Sequence, residues 1–213
     1  MPENPEGPAP DAEAAKAPSD RPDRTVHELD ARTLRGLAHP LRMRLLKALR
    51  SNGPATASQL AEQLGESSGA TSYHLRQLAA YGFVEDAPEH GKGRERWWKS
   101  AHYGTRLPES VAIDPNPEVR GAVDLFRHEV ATIHAQEAGT WIANSHDWPQ
   151  EWQLASDLSD FTLRLTAAET AELVRKLHDV INSYDRTEPA EDARMVRFHV
   201  HALPRTQDQG TTD

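Results

Sequence analysis

Ser67, Ser68, Gly69, Thr71, Ser72, Tyr73, Arg76 and Gln77 crowd into one short stretch of the chain. If that stretch is helical, Ser68, Ser72 and Arg76 repeat at four-residue steps, Gly69, Tyr73 and Gln77 form the adjacent row, and Leu75 and Leu78 lie opposite. Such a face is polar and slim. Small hydroxyls let a helix approach base edges, Gln77 can contact bases or backbone, and Arg76 can reach a guanine or a phosphate. The plainer reading is the solvated face of an amphipathic helix. Further on, Lys92, Arg94 and Arg96 stand around Gly91 and Gly93, a flexible cationic tip suited to a minor groove or to phosphates. The alternative there is a solvated hairpin. Trp97 and Trp98 fall on opposite sides of the same segment, which predicts one in the core and one nearer an interface.

The elements that would position these residues follow from period and punctuation. Leu34, Leu37, Leu41, Leu45, Leu46 and Leu49 recur at helical steps across an interruption at His39 and Pro40, which predicts two helices. Pro40 suits a first helical position, and Asn52 with Gly53 is a stop. Thr56 to Gln59 is a capping-box pattern opening a short helix that carries Leu60 and Leu64, with Gly65 ending it in the left-handed region. Ser67 or Ser68 then caps a helix to about Tyr81, with Thr71, Leu75 and Leu78 on its inner stripe and Gly82 closing it. Extended stretches from Phe83 to Ala87 and from Arg94 to Ser100 predict a hairpin. Helix, helix, helix, turn, helix and two-stranded wing is the order of a winged helix-turn-helix, here between residues 24 and 106.

Residues 1–23 are acidic and proline-rich with almost no bulky apolar side chains, so they are expected to be a disordered tail, as are residues 205–213. Residues 107–115, punctuated by Pro108 and Pro115, read as a linker. Residues 116–204 read as a dimerisation or effector domain. It opens with a long helix from about Pro117 to Asn144 carrying Val123, Phe126, Val130 and Ile133 as an apolar stripe. A small β-α-β unit follows: Asp160 to Leu165 alternates like a strand, Thr166 to Glu169 is a second capping box before a helix to Tyr184, and Arg194 to Leu203 alternates again. The fold class expected is mainly α with small β. The long stripe is expected to form a dimer interface; the alternative is that it folds back onto the β-α-β unit of its own chain.

The net charge of −9 conceals a basic middle. Residues 24–106 hold 13 Lys+Arg against 8 Asp+Glu, a net +5, between acidic flanks, the footprint of a nucleic-acid-reading module joined to a solvated domain. The absence of cysteine excludes thiolate metal sites and disulfides. No apolar run approaches a bilayer span, so a cytoplasmic location without membrane contact is expected. No phosphate-cradling loop or catalytic spacing is present, and no enzyme activity is expected.

Three segments carry a family resemblance: residues 34–49 (LRGLAHPLRMRLLKAL), residues 70–84 (ATSYHLRQLAAYGFV) and residues 91–98 (GKGRERWW). In this order and spacing they resemble the ArsR-type winged helix-turn-helix transcription regulators, as a longer variant with an extra C-terminal domain. The resemblance implies a homodimer that lays one recognition helix per protomer in the major groove of operator DNA, acting as a repressor. The alternative is a winged-helix protein-interaction module without DNA readout.

Metal sensing in that family uses cysteines absent here, or an acid and a His one residue apart followed by a His and a Glu spaced by two residues. His134 and Glu137 match the second half of that pattern, but Gly121 and Val123 stand where the first pair belongs. Asp124 with His128 on one helix face, and His199 with His201 on one strand face, leave an unconventional site open. No metal and no cofactor are expected. His74 and His39 are read as structural residues, and Arg42 and Arg44 as phosphate contacts or surface charge. Trp141, Trp148, Trp152, Phe161 and Tyr184 either line a pocket for an unknown small-molecule effector or serve as core and interface.

Overall fold

The computed structural model describes residues 25–90, 95–184 and 190–205. The expectations for residues 1–23, for the chain end past Arg205 and for Lys92 and Arg94 lie outside them. The described chain forms two compact units, one ending at Ile133 and one beginning at His134.

The first unit opens with β1 (Val26–Glu28) and α1 (Ala31–Leu37). Asp30 caps α1 by accepting the Thr33 N–H at 2.6 Å, and Thr33 returns a hydroxyl to the Asp30 backbone. In α2 (Pro40–Asn52) proline occupies the first turn, His39 Nδ1 accepts the Leu41 N–H at 3.2 Å, and Gly53 ends the helix at φ 83°. Next come β2 (Ala55–Thr56) and α3 (Ala57–Leu64). Thr56 and Gln59 close the expected capping box, and Gly65 adopts the left-handed conformation that releases the chain into the turn. Ser67 caps α4 (Ser68–Ala80) by accepting the Ala70 N–H.

β3 (Val84–Asp86) and β4 (Trp97–Ser100) pair antiparallel, as the hairpin requires, with β2 on the other side of β4. The second wing strand starts at Trp97, with Glu95 and Arg96 of the expected stretch outside it, and a short 3-10 turn occupies Pro88–His90. β5 (Gly104–Arg106) pairs parallel with β1. β1, β2 and β5 are two or three residues long, too short for alternation to be legible.

Leu34, Leu45, Leu75, Leu78 and Phe83 are fully buried at the centre of this unit, and Trp98 joins them from the sheet while Trp97 is half-buried. Gly36 is required by a close approach: a Cβ there would lie 2.4 Å from Cγ of Tyr81. Arg50 ties α2 to the chain beyond β4, donating to the His102 carbonyl at 3.0 Å and the Thr105 hydroxyl at 2.8 Å.

Residues 107–115 are more structured than a linker. They form α5 (Glu109–Ala112), and Leu107 and Val111 pack on the core. The long helix α6 (Pro117–Asn144) has the expected limits, but its stripe has a different destination. Val119, Val123 and Ile133 are buried in the same apolar cluster as the winged module, with Phe126 and Val130 packed against it. Arg35 of α1 pairs with Glu118 at 3.4 Å. Within the first unit the stripe of Val123, Phe126, Val130 and Ile133, expected at a dimer interface, packs on the module's own core, with Phe126 and Val130 left half-buried.

In the second unit α6 runs on through a 3-10 turn at Ser145–Asp147, α7 (Gln150–Ala155) and α8 (Ala167–Ser183). The Thr166–Glu169 capping box forms as expected. The two flanking strands do not. Residues 160–165 and 194–203 join no ladder, so only the helix of the expected β-α-β unit is present. Alternation marks the face a strand would present but supplies no partner for its backbone. Among the described residues no helix is long and apolar enough to cross a membrane.

Candidate nucleic-acid interface

Helix α4 separates its side chains by burial. Ser68, Gly69, Tyr73 and Arg76 are exposed, and Ser72 and Gln77 are half-buried. Thr71 is a correction to the sequence-based set: it is completely buried on the stripe of Leu75 and Leu78, with its hydroxyl inside the fold. A residue four before Leu75 and seven before Leu78 shares their face, whatever its polarity. Ser67 is exposed, with its hydroxyl engaged in the cap. Ser72 and Arg76 line a cleft with Thr56 and Ser58 at the start of α3 and with Glu95, Arg96 and Trp98 of the wing. The cleft brings the helix face and the wing base together.

Arg96 is not a free cation. Its guanidinium forms a two-pronged pair with the Asp86 carboxylate, one prong being Nη2 to Oδ2 at 2.9 Å, and lies 4.0 Å over the Trp98 ring. The pairing holds the Asp86 carboxyl below and the Arg96 guanidinium above their ordinary values. Because Asp86 stands opposite Trp98 in the hairpin, Arg96 is its diagonal neighbour. Lys99 is likewise held, by Glu89 at 3.1 Å and Glu85 at 3.6 Å. Asp86, Glu85 and Glu89 are thus parts of the site that the basic residues alone did not reveal; for Asp86 and Glu85 the signal was the strand register.

The family model described as a helix-turn-helix domain matches residues 37–87. Residues 37–87 are a helix-turn-helix domain. Many solved structures are similar to the chain, among them the following three. Reduced HlyU from Vibrio cholerae is 19% identical, over 45% of this chain and 81% of its own, with a TM-score of 0.29. The transcriptional repressor BigR from Xylella fastidiosa is 20% identical, over 48% and 84%, at 0.30. The homodimeric winged helix-turn-helix DNA-binding domain of a possible ArsR-family regulator from Mycobacterium bovis is 18% identical, over 56% and 86%, at 0.31. No curated protein matches the chain.

Within the helix-turn-helix domain Arg42 and Arg44 of α2 make contacts inside the chain. Arg44 donates to the Leu64 carbonyl at 3.0 Å and pairs with Glu66, which satisfies the end of α3. Arg42 donates to the Arg35 carbonyl at 3.4 Å and has its Nε buried. His39 and His74 approach with ring centroids 4.4 Å apart. Burial lowers both pKa values, assisted by Arg42 at His39 and by His39 and Arg42 at His74. His74 keeps a buried Nδ1 without a hydrogen-bond partner, so it packs rather than bonds.

Beyond that domain, the second unit gathers the histidines that the sequence kept in separate pairs. His134 Nδ1 and His201 Nε2 are 2.7 Å apart, His199 Nε2 is 2.8 Å from Glu137 Oε2, and the His134 and His199 rings stack at 3.8 Å. Burial, reinforced by His199 and His201, lowers the His134 pKa to about 4. Among the described residues no group of three His, Cys, Asp or Glu is placed to hold a metal ion. The aromatic residues considered for an effector pocket scatter: Phe161 and Tyr184 are exposed, while Trp148 and Trp152 meet edge to face at 6.3 Å.

Proposed function

We propose that the chain is a sequence-specific DNA-binding transcription regulator that acts as a homodimeric repressor. The observation that carries this reading is the outer face of α4. Ser68, Gly69, Tyr73 and Arg76 are exposed beside half-buried Ser72 and Gln77, with a fully buried stripe fixing the helix from behind. Slim polar side chains admit the helix to the major groove, and Arg76 has the reach for a guanine edge or a phosphate. Lys92 and Arg94 serve as the cationic wing, with Arg96 at its base paired to Asp86. Two copies are needed because recognition helices of a helix-turn-helix dimer meet successive major grooves about 34–36 Å apart. An electrophoretic mobility shift on the DNA upstream of its own gene, titrated over salt, tests the reading. Specific retardation that weakens steeply with salt is expected; a folded protein giving none at any salt overturns it.

One observation favours a second reading, a protein-interaction module that keeps the winged fold. Arg96 and Lys99, the two described cations of the wing, are already neutralised by Asp86, Glu85 and Glu89. Replacing Arg94 and Arg96 with Ala separates the two: a DNA reader loses affinity for all sequences and shows a flatter salt slope, whereas an interaction module shows neither.

A further inference from the structure

The second unit presents large apolar residues that are exposed among the described residues. In residues 160–165 the odd positions Phe161, Leu163 and Leu165 are 85%, 63% and 41% exposed, while Asp160, Thr162 and Arg164 alternate with them. Leu173, Leu177 and Val180 of α8, which begins directly after the Thr166 cap, form a second exposed stripe at helical spacing. Six large apolar side chains on so short a stretch amount to several hundred Å², roughly the size at which a surface patch marks an interface. Among the described residues, no backbone–backbone hydrogen bond involves residues 157–165. Asp160 and Arg164 take part in no described ion pair. An alternating segment with an unpaired backbone is a template for strand addition.

The segment is complementary to itself. Two copies paired antiparallel about Thr162 place Asp160 opposite Arg164 twice, Phe161 opposite Leu163 twice and Thr162 opposite Thr162. Each is a favourable cross-strand pair. A shift of one residue sets apolar positions against polar ones. Centring on Phe161 or Leu163 instead keeps the faces but loses both charge pairs. The segment is also electrically neutral within an acidic C-terminal half, so two copies can meet there without repulsion.

We propose that residues 160–165 of two copies pair antiparallel about a two-fold axis at Thr162, with α8 backing the paired strands, and that this surface is the C-terminal dimer interface of the protein. A two-stranded ladder alone is marginal in water, which gives the exposed stripe of α8 its role. The proposal rests on the homodimer reading and names a surface for it, since the α6 stripe is occupied within its own protomer.

Charge exchange in the full chain tests it, read by sedimentation equilibrium over a wide concentration range. Asp160→Arg and Arg164→Asp, made separately, each oppose like charges across the axis and are expected to weaken self-association about tenfold or more. An equimolar mixture of the two variants restores it, because every cationic position of one then faces a carboxylate of the other. Unchanged association in both single variants overturns this interface and leaves the homodimer standing. Weakening without recovery in the mixture overturns the two-fold register. An unmodified chain that stays monomeric overturns both the interface and the homodimer.

Discussion

Val123 decides whether α6 is a core element or an assembly element. It is 2% exposed and shares its cluster with Leu34, Leu45 and Leu75 of the winged module. Val123→Ala removes two methyl groups, at about 0.8 kcal/mol each for transfer, and the unfilled space raises the cost to about 2–3 kcal/mol. In a unit of roughly 110 residues about 4 °C of Tm is lost per kcal/mol, which gives a drop of about 8–12 °C. Leu125, exposed on the same helix, is the control; its replacement by Ala is expected to stay within about 0.5 kcal/mol. Thermal unfolding followed by circular dichroism at two protein concentrations a hundredfold apart separates the explanations. A core residue lowers Tm equally at both. A drop confined to the higher concentration, or one below about 3 °C, refutes the placement of the stripe inside the protomer.

Asp86→Asn frees Arg96 for a phosphate, so the slope of log affinity against log salt is expected to steepen by about 0.9, one added contact; an unchanged slope shows that Arg96 does not reach the DNA. Gly36→Ala forces a methyl group onto the Tyr81 ring and is expected to destabilise the winged module by about 1–3 kcal/mol, which urea unfolding measures. The histidine cluster carries a pH dependence. With the folded-state pKa of His134 near 4 against an ordinary 6.5, the unfolded chain binds the proton first, so this group lowers stability as pH falls from about 6.5 towards 4 and has no effect above that window. An NMR titration placing the His134 midpoint at 6 or above refutes the burial argument.

Much of the helix-turn-helix domain was legible because its signals are local. Thr56 with Gln59, Gly65, Ser67 and Gly82 act on backbone groups within a few residues, and helical period joins Leu75 to Leu78 without reference to anything else. The same period placed Thr71 inside, and only its hydroxyl suggested otherwise. The partners of each face were not legible. The α6 stripe required cover, yet its periodicity was equally consistent with a second copy, a β-α-β unit or the winged core, and only packing chose the last. The pairing of Arg96 with Asp86 needed the strand register, although the two stand close in sequence. The meeting of His134 with His201 needed the chain to return across a long separation. Residues 160–165 show the remaining limit: alternation specifies which side chains share a face, but a strand exists only when another backbone satisfies its hydrogen bonds, and that partner is a property of the tertiary or quaternary structure.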